Sequence, residues 1–157
     1  MLFRSTEFRA ALEMMAIPGY NLVYADRYDT IFYISNGKIP VRKEGYNWKG
    51  TLPGNTKATL WNTLHPLSDL PQVLQPQSGF VYNTNHSPFH STAGNDNPVN
   101  RFPNMGYETL ENNRSQRFAE LIAQYPTVSF ADMKKIKFDR TYPSKFAFPT
   151  NIDTLFQ

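Results

Sequence analysis

Three kinds of apolar pattern run along this chain. Phe8, Leu12 and Met15 fall at i, i+4 and i+7, with Ala10, Ala11 and Met14 widening the same face. That period predicts a helix from Thr6 to Ala16, with Ser5 or Thr6 as its cap and Pro18-Gly19 as its stop. The run Tyr20-Asn21-Leu22-Val23-Tyr24-Ala25 is dense in strand formers, Asp26-Arg27-Tyr28-Asp29 reads as a polar turn, and Thr30-Ile31-Phe32-Tyr33-Ile34 reads as a second strand. Asn36-Gly37 then turns the chain into an extended exit, Lys38 to Arg42. Both strand runs are apolar on both faces, which predicts a sheet covered on both sides in a layered protein.

The next stretch, Lys43 to Pro76, has little periodicity and many Gly and Pro residues. So long a segment without regular structure is unusual inside a compact domain, and reads as a wrapping loop or one held by something outside the chain. Gly79 to Asn83 predicts one more short strand, followed by a polar loop from Thr84 to Asn104. Thr109 to Gln124 carries an apolar stripe of Phe118, Leu121 and Ile122 and predicts the best helix. Ser129 and Asp132 have capping-box spacing and open a short helix to about Lys135. Phe146, Phe148, Leu155 and Phe156 crowd the C-terminal end, a run that a self-contained domain seldom leaves uncovered. The whole reads as one partial domain, residues 1–157.

Composition narrows the classes. The chain has 157 residues and no Cys, which removes disulfide scaffolds, thiolate metal sites and cysteine nucleophiles. No apolar run approaches the roughly 18 residues of a membrane-crossing helix. Lys plus Arg is 16 against 13 for Asp plus Glu, and a net charge of +3 spread along the chain gives no argument for nucleic acid. The start of the chain shows no apolar signal region.

Several residues could carry chemistry. His86 and His90 are four apart, but Pro88 lies between them, so a shared helical face for a metal is not available; loop histidines are the plain alternative. Asp26 and Asp29 read as turn residues, and the scattered carboxylates, Asp96 and Asp139 included, form no catalytic pair pattern. No phosphate-binding glycine loop and no G-x-S-x-G elbow occur. The hexad Asn83-Thr84-Asn85-His86-Ser87-Pro88 admits two readings. It is a set of loop formers, or it presents a side-chain amide N–H at a strand end, where developing negative charge could be held. Arg114 and Arg117 likewise lie on a solvated face, or one of them turns inward to bond a carboxylate or amide.

Three stretches, in order, resemble the penicillin acylase family of N-terminal nucleophile hydrolases. Asn21 to Asp26, with Ile31-Phe32-Tyr33 and Asn36 to Arg42, is similar to the family's N-x-x-Y-A-D … G-x-x-P-x-R run. Leu70 to Val73, Pro76 to Phe80 and Asn83 to Pro88 are similar to its P-x-x-x-N-P-x-x-G-x-x-x-N-x-N-N-x-P run. Asn113 to Arg117 is similar to the following helix with its R-x-x-R spacing, and Trp48 and Pro53-Gly54 fit the loop between. The resemblance covers about Phe8 to Asp139.

It implies an α+β fold, part of an α-β-β-α sandwich, and an amidohydrolase in which an N-terminal Ser attacks a linear amide with its own α-amino group as base. It implies Asn85 as the oxyanion-hole amide, Arg114 as the residue that orders the site, and Tyr20 as a substrate-pocket residue. Asp96 falls where some members hold calcium. His86 stands where an Asn is common. No residue here matches the nucleophile, so the resemblance implies an internal piece of a β-subunit, partnered by the rest of that subunit and an α-subunit. The substrate class would be N-acyl amides of a β-lactam nucleus or homoserine lactone, and the location periplasmic or secreted. The alternative is a non-catalytic binding module, or a split subunit whose partner carries the nucleophile.

Overall fold

A computed structural model describes residues 4–147. The chain forms two compact units, Met1–Thr109 and Leu110–Gln157. The first opens with helix α1 (Ser5–Glu13), whose first turn is closed by the Arg4 N–H donating to Glu7 Oε2 at 2.9 Å. The helix ends three residues before its apolar period predicts. Met15 adopts φ +45°, a left-handed conformation that stops the i to i−4 ladder before Pro18 is reached.

Strands β1 (Tyr20–Ala25) and β2 (Ile31–Asn36) form the expected antiparallel hairpin, with Leu22 opposite Ile34 and Tyr24 opposite Phe32. Asp26 organises the turn as its composition predicts: Oδ1 accepts the N–H groups of Tyr28 and Thr30, at 2.8 and 3.1 Å, and Oδ2 accepts the Tyr24 hydroxyl at 2.9 Å. The third strand, β3 (Gln72–Leu74), pairs with β2 and makes it the central strand. Sequence alone gives no sign of β3, because three residues are too few to show an alternation. The predicted strand at Gly79–Asn83 is not one. Its backbone groups go instead to the loop that follows, Tyr82 N–H to Ser91 O at 3.0 Å and the Thr92 hydroxyl to Phe80 O at 2.8 Å. An apolar run without a neighbouring strand makes no ladder.

Burial explains why the hairpin reads as apolar on both faces. Phe32 through Asn36 of β2 are all buried, whereas edge strand β1 leaves Tyr20 and Val23 exposed. On one face Phe32 and Ile34 join Leu12, Leu67, Leu70 and Met105 in the core, with Phe8, Leu22 and Tyr24 packed against them. Phe8 stacks on Tyr24 with ring centroids 4.7 Å apart, so α1 covers this face. Asn21, Tyr33 and Ser35 point to the other face.

The aperiodic stretch 43–76 is held by this chain itself. Val41 N–H bonds Thr63 O and His65 N–H bonds Ile39 O, both at 2.8 Å, in a two-rung antiparallel contact. Trp48 Nε1 donates to Lys43 O, and the Arg42 guanidinium lies over the Trp48 ring and donates to Asn104 O.

The second unit is a helix pair, α2 (Asn113–Ile122) and α3 (Phe130–Lys137). Asn112 caps α2 by accepting the Ser115 N–H at 2.9 Å, while Ser115 Oγ accepts the Asn112 N–H at 3.1 Å. The helix therefore begins four residues after the predicted Thr109. Ser129 caps α3 with Asp132 as its spacing predicts. Of the C-terminal apolar run, Phe146 is part-exposed; Phe148, Leu155 and Phe156 lie outside the described residues.

Candidate functional site

The loop between Tyr82 and Ser91 is closed at its base by the Tyr82–Ser91 backbone bond and anchored on two sides. On one side stands Asn83. Its Oδ1 accepts the Asn85 backbone N–H at 3.0 Å, an Asx turn, and also the Asn21 side-chain N–H at 3.2 Å. Asn21 Oδ1 in turn accepts the hydroxyl of Tyr33 at 3.0 Å, so the loop is bonded to the buried central strand. Burial holds the Tyr33 phenol well above its ordinary pKa and thus protonated, which suits it to donate.

On the other side stands His86, buried and stacked on Tyr82 with centroids 4.6 Å apart. Its Nδ1 takes the Thr84 backbone N–H at 3.1 Å and the Thr84 hydroxyl at 3.0 Å. A backbone N–H can only donate, so Nδ1 is the acceptor and Nε2 carries the hydrogen, which it gives to His90 O at 2.8 Å. Both ring nitrogens of His86 are thus engaged within the loop. Ser87 is also buried, and its Oγ accepts the Phe89 N–H to open the 3-10 turn Pro88–His90.

Asn85 sits between these anchors. It is exposed, and its φ is +56°. Asn tolerates the left-handed region better than most residues, but the conformation still costs energy and persists because its neighbours fix it. The arrangement gives the two asparagines of the hexad different tasks. Asn83 spends its oxygen on the loop, while Asn85 heads the turn toward solvent.

The other predicted residues stand as follows. Tyr20 opens β1 with its ring 59% exposed, and strand alternation puts it on the face of Leu22 and Tyr24, opposite to Asn21. Asp96 accepts the Ser78 N–H at 2.7 Å, a clasp between two loop segments; among the described residues no three His, Asp or Glu side chains gather as a metal site. Arg114, in the second unit, is exposed and forms no ion pair among the described residues. Its neighbour Arg117 makes the inward contact, bidentate to Asp139 at 2.8 and 3.2 Å and to Glu120 at 3.1 Å. The guanidinium of Arg117, and then Thr141, hold the Asp139 carboxyl down to about 2. Sequence reasoning takes Asn21 and Tyr33 as strand formers and as positions in the family-like run, and gives neither a side-chain role. A polar amide inside a strand run was the one available sign that Asn21 has a side-chain partner.

This hairpin, with a polar loop bonded to its central strand, and the helix pair of the second unit make an α+β arrangement. The likeness in three dimensions is to the thermostable penicillin G acylase from Alcaligenes faecalis: TM-score 0.65 at 21% identity, covering 85% of this chain and 22% of that one. The penicillin amidase family model matches residues 4–150, and the chain belongs to that family. Over 80 residues it is 36% identical to the penicillin G acylase of Escherichia coli, a match that takes in 51% of this chain and 9% of that protein.

Proposed function

We propose that this chain contributes the oxyanion-stabilising part of an amidohydrolase that cleaves linear N-acyl amides. The observation that carries this reading is Asn85: an exposed residue in a left-handed turn, held between half-buried Asn83 and buried His86, at the position that resembles the family's oxyanion Asn. In the reaction, the Oγ of an N-terminal Ser from another segment attacks the amide carbonyl. The α-amino group of that Ser takes the hydroxyl proton. Asn85 Nδ2–H donates to the oxygen as it becomes negative, and a neutral, fixed donor does so with no counter-charge to rearrange. Collapse expels the amine with a proton, and water then releases the acyl group from the Ser ester.

In the same reading Arg114 orders the site through its guanidinium, and the exposed ring of Tyr20 meets the apolar acyl group. The partners are the remainder of a β-subunit and an α-subunit. The amine side of the substrate is a β-lactam nucleus or homoserine lactone, and the setting is periplasmic or secreted. The test is reconstitution. The chain alone should not hydrolyse a chromogenic N-acyl amide, and co-expression with the segment that supplies the N-terminal Ser should restore turnover. Turnover by the chain alone, or none after assembly with a processed Ser, would count against the assignment.

A further inference from the structure

The hydrogen bonds behind Asn85 have a single allowed polarity. The Asn85 backbone N–H can only donate, so the side-chain atom of Asn83 facing it must be oxygen. That same oxygen faces Asn21, so Asn21 must present its NH2 group there. The Asn21 oxygen then faces Tyr33, whose hydroxyl must donate. Reversing any one amide would set two acceptors or two donors against each other. The order therefore runs from the Tyr33 hydroxyl to Asn21, from Asn21 to Asn83, and meets the Asn85 N–H at Asn83 Oδ1. Its inner end is rigid, because Tyr33 is 1% exposed in the central strand.

We infer that Asn21 and Tyr33 are positioning residues that fix the turn at Asn85 through Asn83, and with it the direction of the Asn85 amide. This rests on the reading of Asn85 as oxyanion donor for its catalytic consequence, but not for the structural link. The polarity makes the two outer asparagines unequal. Asn83→Asp keeps an acceptor toward both N–H groups, so the turn survives. Asn21→Asp sets a carboxylate oxygen against Asn83 Oδ1 and breaks the line. Tyr33→Phe removes only the donor and leaves the buried packing in place.

The experiment measures two things in the assembled full protein: amide hydrogen exchange at Asn85, and kcat and KM for an N-acyl amide. Asn21→Asp and Tyr33→Phe should speed exchange at Asn85 by about tenfold or more. They should lower kcat on the order of 10- to 100-fold, with KM little changed, as misplacement of a catalytic group does. Asn83→Asp should leave exchange at Asn85 near wild type. Should Asn21→Asp fail to fold, Tyr33→Phe alone decides the matter. Unchanged exchange at Asn85 in Tyr33→Phe, or exchange sped equally by Asn83→Asp and Asn21→Asp, would overturn the inference. Faster exchange with kcat unchanged in these variants and in Asn85→Ala would uphold the structural link and remove the oxyanion role.

Discussion

At the scale of single residues, backbone conformation carries as much of the account as side chains do. Gly106 has φ +81°, and a Cβ placed there would lie 2.3 Å from Arg42 Nη1. Gly106→Ala must therefore strain the backbone and displace the guanidinium from Asn104 O and the Trp48 ring. A loss above about 1 kcal/mol is expected in denaturant unfolding, since Ala at positive φ costs more than glycine's entropy returns. Tyr20→Ala makes the opposite kind of test. Its ring is exposed, so stability should barely move, while KM for aromatic or long-chain N-acyl amides should rise with kcat kept; an unchanged KM would take Tyr20 out of the pocket.

At the scale of elements, the helix pair of the second unit depends on Arg117. Asp139 has its pKa lowered from 3.8 to about 2, first by Arg117 and then by Thr141. Glu120 is lowered as well, by Ser144 and then Arg117. A depressed carboxylate stabilises the fold while it is ionised. That contribution is complete above pH 3.8 and disappears as the pH falls through about 2. Thermal melts across this window should show a steep acid limb for the native chain and a shallower one for Asp139→Asn, the two curves converging below pH 2. Parallel curves would mean that the bidentate pair contributes nothing. Ser129→Ala removes the cap of α3 and should cost about 1 kcal/mol, read by the same melts at neutral pH.

The elements also show what could be read from residue order and what could not. The hairpin was legible because Tyr20–Ala25 and Ile31–Asn36 carry their own signals: two runs of strand formers separated by a polar turn. The cap at Ser129 was legible for the same local reason. Strand β3 and the false strand at Gly79–Asn83 were not, because strand status depends on a partner distant in sequence. Gln72–Leu74 has β2 beside it; Gly79–Asn83 has only a loop. The site divides in the same way. Asn85 is singled out only by the resemblance of its hexad to the family's run, whereas Asn21 and Tyr33 are linked to it by a bond to Asn83 across 62 residues and one from strand to strand, which no spacing rule encodes.

At the scale of the whole molecule, the chain spans 9% of the Escherichia coli relative and 22% of the Alcaligenes faecalis structure it matches. Leu60, Trp61 and Leu64 stand exposed in sequence next to the two-rung contact that holds their loop, with Trp61 at 63%. The proposed division of labour follows: this chain supplies a positioned amide, and another segment supplies the nucleophile. The most direct test of that claim is kcat of Asn85→Gly in the assembled enzyme. Glycine adopts φ +56° without cost, so the loop and the melting temperature should be kept while the donor is lost. A fall in kcat of about two to three decades is expected, the usual effect of removing one oxyanion donor. A kcat equal to that of the native chain, with the fold intact, would contradict it.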